Sequence, residues 1–475
     1  MTKTRLEHTF DPGHFRQTGH RIIDILADFL ESSLKRELPV VLPDISPDAM
    51  LERWQGDFQD GPASDLLDLV RQVLADSNNL QHPRYVGHQC CTALPAAALC
   101  ELVGAFLNNG TAVYEMGPVN VAMEKRLVQW MAGLIGYDSQ ADGIFTHGGT
   151  LGNLTALLAA RQCLAEGDVW TRGVRSEQPV SVLVSDQCHY SVKRAVAVMG
   201  LGEDAVCHVP VDARFKMTRE GLEERFAEAE TQGRRVIAVV GNACSTATGT
   251  YDNFNMIADF AQEHQLWFHV DGAHGASALL SHKYRHLLNG LDRADSMVWD
   301  AHKMLMIPAL ATAVVFRDGS HSYEAFSQKA SYLFEKESHD EWYNFAHRTM
   351  ECTKTMMGLK LYVPLAVYGV QLFSDFVTRS YDLTRTFAGM IKDAPDFELA
   401  AEPESNIICF RYVPSDCADP DGLQKQIRTK LLEDERFYVV QTMLGGQQFL
   451  RCTLINPNTT VDDLSELLDV IRSLV

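Results

Sequence analysis

Apolar positions along the chain follow three successive rhythms. Near the N-terminus Ile22, Ile25, Leu26, Phe29 and Leu30 recur at helical spacing, with Asp24, Asp28 and Glu31 on the other face, which predicts an amphipathic helix. Pro39, Pro43 and Pro47 then break the pattern and mark an extended linker, and a second helical stretch covers Ser64 to Ala75. Residues 1–80 hold little core of their own. They must pack on the main domain or on a second subunit.

The second rhythm runs from about 85 to about 320, within a large α/β domain expected over 81–375. Short apolar runs rich in β-branched residues alternate with helical stretches. Val180–Val184, Val236–Val240, Leu266–Val270 and Ala311–Phe316 read as buried strands, and alternation of this kind predicts a mostly parallel sheet. Such sheets bind ligands beyond the carboxyl ends of their strands. The third rhythm, over 376–475, predicts a small α+β domain. Its expected strands are Asn406–Tyr412, Phe437–Val440 and Phe449–Leu454. Its closing helix has Thr460 as N-cap and Leu464, Leu467, Leu468 and Ile471 as its apolar stripe.

Composition narrows the function classes. The 475 residues are 46% hydrophobic and 22% charged, values of a globular chain. A net charge of −20 repels nucleic acid and anionic membrane, so neither is an expected partner. No run of ~18 consecutive apolar residues suggests a transmembrane helix, and the polar start Met1–His8 lacks the features of a secretory signal. The eleven cysteines show no CxxC spacing. They predict reduced thiols in a cytosolic protein, mostly buried small hydrophobes, with no metal centre.

The candidate chemistry lies at the expected strand ends. His302-Lys303 follows an apolar run and precedes another. Burial there would lower the lysine pKa and expose the neutral amine that a Schiff base needs, although a lysine snorkelling from a strand end gives the same dipeptide. Asp271 follows the strand at 266–270, beside Gly272 and Ala273. It suits either an anionic partner for a protonated pyridine nitrogen or a helix cap. Gly148-Gly149-Thr150 opens a helix whose free N–H groups could cradle a phosphate, but many such loops bind nothing. His189, just past the strand at 180–184, could stack on a flat ring or be structural.

Phosphate loop, His189, Thr246 after a strand, Asp271 and His302-Lys303 form one ordered set. With it the sequence resembles the group II pyridoxal-phosphate-dependent amino-acid decarboxylases, which include glutamate, cysteine-sulfinate, diaminobutyrate and aromatic amino-acid decarboxylases. The resemblance runs from about His82 to the C-terminus. It rests on His82-Pro83-Arg84-Tyr85, Tyr114–Pro118 with Met123-Glu124, Asp271-Gly272-Ala273 and His302-Lys303.

The resemblance implies the aspartate-aminotransferase-like fold, known as fold type I, with pyridoxal 5'-phosphate bound to Lys303. Asp271 would pair with the ring nitrogen, Ala273 would pack on the ring and His189 would stack on its other face. Gly149, Thr150 and His302 would hold the phosphate, with Thr246 near the ring. Tyr332, before the charged run Glu335–Asp340, resembles the mobile-loop tyrosine that returns a proton after carbon dioxide leaves. A buried structural tyrosine is its alternative. Arg451 resembles the arginine that meets a substrate carboxylate, or else it pairs within the small domain. Tyr85 and His88 would also face substrate.

Two departures bear on specificity. His88 replaces a family Gln, and His274 replaces an aromatic residue. The expected reaction is therefore decarboxylation of an L-amino acid, either acidic, short and polar, or 2,4-diaminobutyrate. An aromatic substrate, an aminotransferase or lyase of the same fold, and a non-catalytic cofactor-binding protein are the alternatives. A homodimer with active sites at its interface is the expected assembly.

Overall fold

In the computed structural model the described residues are 4–56, 64–164, 169–174, 179–326 and 341–475. They form two compact units. One comprises 89–388 with 401–409, and the other 1–88 with 389–400 and 410–475.

The larger unit is built on a seven-stranded sheet. Its strands are β1 (Asp142–Thr146), β2 (Val180–Ser185), β3 (Val206–Val209), β4 (Arg235–Asn242), β5 (Trp267–Asp271), β6 (Ser296–Asp300) and β7 (Thr312–Phe316). They lie in the order β1-β7-β6-β5-β4-β2-β3. Neighbours from β3 through β6 are parallel, as the apolar runs predict. β7 is antiparallel to both β6 and β1. A buried apolar run does not encode strand direction, so that reversal had no signal in the pattern. Since β7 reverses twice, β1 points the same way as β6. The carboxyl ends of β1, β2, β4, β5 and β6 therefore share one edge.

Helix Gly149–Leu164 lies across this sheet and is buried without interruption from Gly152 to Arg161. Gly152 makes the close approach possible. A Cβ there would stand 2.8 Å from Val298 Cγ1 on β6. The long helix Leu359–Asp393 contains Pro364 and is interrupted at Gly369, where φ is +72°. Its length and composition alone would suffice to cross a membrane, a test that a packed helix of a globular enzyme also passes.

In the smaller unit, helix Pro12–Leu34 starts at Asp11, whose side chain accepts from Gly13 and His14 N–H. Past its end, Arg36 donates to both oxygens of Asp463, at 2.8 and 2.7 Å, and Val41 N–H donates to Glu435 O. The N-terminal segment thus anchors on the C-terminal helix, a third possibility beside the main domain and a second subunit. A few salt-bridging side chains far apart in sequence specify this docking, and periodicity does not reveal them.

The four-stranded sheet has the order β10-β11-β9-β8, with β8 Phe397–Leu399, β9 Ile407–Tyr412, β10 Val440–Leu444 and β11 Gln447–Thr453. The strand expected at Phe437–Val440 begins only at Val440. Phe437, Tyr438 and Val439 are buried without a ladder, apart from a single bridge between Tyr85 and Tyr438. β10 is an edge strand, half exposed and hence polar in sequence. The closing helix Val461–Ser473 is capped by Thr460, and its four predicted apolar residues are buried.

Candidate active site

Five strand ends deliver the candidate residues to one cavity of about 240 Å³. β1 leads into His147-Gly148-Gly149-Thr150, β2 into His189, β4 into Cys244 and Thr246. β5 ends on Asp271, before Ala273 and His274, and β6 ends on Asp300, before His302 and Lys303. All of these line the cavity, together with Asn153, Ser191, Asn242 and Leu310. Gly148 takes φ +96° and turns the chain from β1 into its helix. The N–H groups of Gly149 and Thr150 donate to no protein acceptor among the described residues. Such orphan donors at a helix start suit an anion.

Lys303 overturns one expectation. Burial opposes its charge, but the nearby Asp300 and then Asp271 outweigh that effect and hold its pKa above the ordinary lysine value. Its Nζ lies 3.0 Å from Asp300 Oδ2. Burial by itself pushes the Asp300 carboxyl up, yet Lys303 and His302 leave it below the usual range. The resting side chain is therefore an ammonium paired with a carboxylate. The sequence reading missed Asp300, although it stands three residues before Lys303 and ends β6 as Asp271 ends β5.

Asp271 is oriented by a directional chain of hydrogen bonds. The Trp267 indole, a donor only, donates to Ser296 Oγ at 2.8 Å. Ser296 can then offer its own hydrogen to His269 Nδ1 at 2.8 Å. His269 Nε2–H accordingly faces Asn153 Oδ1 at 2.9 Å, and Asn153 Nδ2 donates to Asp271 Oδ2 at 2.9 Å. His269 is fully buried, and burial lowers its pKa to about 4 despite Asp271. It is therefore neutral, as the chain requires. The other oxygen, Oδ1, accepts from Ala273 N–H, so Asp271 closes a tight turn and caps no α-helix.

The same amide fixes His189. Asn153 Nδ2 also donates to Ser191 Oγ at 2.9 Å, which leaves the serine hydrogen for His189 Nδ1 at 2.7 Å. The neutral ring then carries its proton on Nε2. Burial lowers the His189 pKa, with Asp271 opposing. His302 is turned toward protein atoms, Nδ1 to the Ala311 backbone and Nε2 3.5 Å from Asp300. His274 is buried, with Nε2 2.7 Å from Asn406 Oδ1.

Tyr85, His88 and Arg451 belong to the other unit. Both Tyr85 and His88 face the Tyr438 ring, with centroids 5.1 and 5.5 Å away. Arg428 lies over the same ring. Burial lowers the His88 pKa, and Arg451 and Arg428 lower it further. Tyr332 lies outside the described residues. All eleven cysteines are free. Cys91 is buried with Sγ toward His302 O, while Cys90, Cys163 and Cys352 are exposed, so burial is not their common feature.

A lysine at the cavity wall, a carboxylate held by Asn153 and the Ala273 N–H, and an anion-ready helix start fit pyridoxal phosphate. Known proteins agree. The pyridoxal-dependent decarboxylase conserved domain matches residues 47–413. Cysteine sulfinic acid decarboxylase of Rattus norvegicus is 33% identical over 425 residues, 86% of this chain and 85% of that protein. Acidic amino acid decarboxylase GADL1 of Homo sapiens is 31% identical over 423 residues, 86% and 81% of the two chains. A crystal structure of mouse CSAD superimposes with a TM-score of 0.91 at 28% identity, covering 98% of this chain and 99% of that one. The chain belongs to the pyridoxal-dependent decarboxylases, with their fold type I architecture and their cofactor, pyridoxal phosphate.

Proposed function

We propose that this decarboxylase acts on an acidic or short polar L-amino acid, with the cofactor held covalently by Lys303. The observation that carries the site assignment is the convergence of Lys303, Asp271 and His189 on one cavity, two of them oriented through the same buried Asn153. Pyridoxal phosphate, when bound, supplies an electron sink for the pair left behind by carbon dioxide.

The remaining work falls to the chain. Asp271, fixed as a hydrogen-bond acceptor, would keep a proton on the ring nitrogen of the bound cofactor. Ala273 and His189, which line the cavity, would flank the ring, and His189 would offer Nε2–H to the substrate carboxylate. Thr246 would lie near the ring and Gly149 and Thr150 would hold the phosphate, while His302, whose ring nitrogens face Ala311 and Asp300, would border that end of the cavity. Lys303 must give up its ammonium proton before it can act as a nucleophile. Tyr332, by its place in the sequence, is the proposed acid for the α-carbon.

The substrate class draws on the curated relatives, named for cysteine sulfinate and acidic amino acids. It also draws on the sequence around Arg451, which resembles the arginine that meets a substrate carboxylate. A guanidinium fork suits a second carboxylate or a sulfinate. We also propose a homodimer in the cytosol. Helix Pro95–Leu107 exposes Leu99, Leu102, Val103, Phe106 and Leu107, an apolar face of the kind that interfaces cover.

Carbon dioxide and amine release from cysteine sulfinate, aspartate, glutamate, diaminobutyrate, tyrosine and lysine tests the reading. The first three should react fastest. Preference for tyrosine would reassign the substrate, and release of oxo acid without carbon dioxide would overturn the reaction.

A further inference from the structure

His147 stands between the last residue of β1 and Gly148, and its ring lines the cavity beside the phosphate loop. Its Nδ1 lies 2.8 Å from Glu351 Oε1. Nε2 has no partner among the described residues. The pairing is built into the fold. Lys354, three residues past Glu351, donates to Phe145 O, two residues before His147, at 2.6 Å. Thr111 Oγ1 donates to Lys354 O, and Thr349 Oγ1 to Glu351 O. Both partners are thus held in register before any ligand arrives.

Charge balance gives this ring a purpose. The cavity carries two carboxylates, Asp271 and Asp300, and must also accept a phosphate dianion. Lys303 is matched by Asp300, and both nitrogens of His302 face protein atoms. His189 Nδ1 is occupied by Ser191. His189 Nε2–H is assigned to the substrate carboxylate, so beside the orphan N–H groups of Gly149 and Thr150 the uncommitted ring nitrogen next to the phosphate loop, among the described residues, is His147 Nε2. With Nδ1 held by Glu351, an Nε2–H would be the ring's donor to an anion.

We propose that His147, positioned by Glu351, is a further anchor for the cofactor's phosphate group. This rests on the assignment of the cavity to pyridoxal phosphate with its phosphate at the start of helix Gly149–Leu164. The alternative is a latch, in which the pair only ties residue 351 to the loop.

Absorbance titrations of the cofactor-stripped protein separate the two. Pyridoxal phosphate and pyridoxal differ only in the phosphate. His147→Ala should weaken pyridoxal phosphate about tenfold or more, the scale of one charge-assisted hydrogen bond, and leave pyridoxal unchanged. Glu351→Gln should act in the same direction with a smaller effect. His147→Arg should recover most of the loss. Inorganic phosphate should compete less well with pyridoxal phosphate in the alanine variant. Equal weakening of both aldehydes would establish the latch and sink the anchor, as would unchanged affinity for both. Failure of the unaltered protein to bind either aldehyde would instead overturn the cavity assignment itself.

Discussion

Two lysines in the larger unit are paired with carboxylates, and they differ in the use to which burial is put. Lys354 Nζ bonds Glu124 and Phe145 O and lies 4.7 Å from the Phe345 ring centroid. Its side chain is 1% exposed and that of Glu124 0%. Burial lowers the Lys354 pKa, and Glu124 offsets this only in part. Lys303 keeps 21% of its side chain accessible, through the cavity, and its pKa is raised. Burial and a depressed pKa would therefore single out Lys354 and not the proposed Schiff-base lysine. Access to a cavity, beside groups that can hold a cofactor, is what marks Lys303 as the proposed reactive lysine.

The strongest test of that contrast exchanges the two lysines' expected phenotypes. Lys303→Ala should abolish the visible absorbance of bound cofactor and lower turnover by on the order of 10^4-fold, with little change in melting of the cofactor-free protein. Lys354→Met should reverse the pattern. Removing one member of a buried pair leaves Glu124 uncompensated, and the expected cost is about 3–5 kcal/mol in denaturant unfolding. The folded fraction should still form the absorbing complex. Adding Glu124→Gln should recover much of the lost stability. A Lys354 variant that folds normally but loses the absorbance would erase the distinction.

The comparison also shows what a sequence carries. Lys303, Asp271, His189 and the Gly149-Thr150 turn were legible because each follows an apolar strand, and a parallel sheet gathers such ends at one edge. Asp300 had the same signature and was overlooked for its neighbour. Asn153, His269 and Ser296 were not legible. They lie inside elements that read as apolar, and only the packing of helix Gly149–Leu164 on β5 and β6 joins them. Glu124 and Lys354 are 230 residues apart, beyond any local pattern. In the smaller unit, Arg36 and Asp463 were hidden in the same way, and the polar edge strand Val440–Leu444 lacked the apolar rhythm used to find its neighbours.

A smaller effect probes how far the larger unit's polar network supports its stability. His269 has its pKa depressed to about 4 from an ordinary 6.5. The unfolded chain binds a proton there between those values, and the folded protein does not. Stability from this group is thus complete above about pH 6.5 and declines as pH falls toward about 4, by about 3 kcal/mol in all. Urea melts across that range should show the decline, and His269→Gln should flatten it. An equally steep decline in the variant would assign the proton uptake to other groups.

The smallest expected effect bears directly on Lys303. Asp300→Asn keeps the shape of the side chain and a hydrogen-bond acceptor for Thr312, but removes the nearest negative charge. Asp271 remains as the second source of stabilisation, so the ammonium is weakened, not lost. The sign follows from the pairing. Lys303, with its pKa raised, contributes stability that is complete below the ordinary lysine value and disappears only as pH rises through its folded one. Near neutrality that contribution is a barrier to chemistry, because the amine must shed its proton before joining the cofactor. The rate of cofactor capture should therefore climb with pH in the unaltered protein. In the variant the climb should move toward acid, making capture faster by on the order of tenfold near neutral pH. Stopped-flow absorbance between roughly pH 6 and 9 measures both curves. Superimposable curves would mean that Asp271, not Asp300, governs the charge on Lys303.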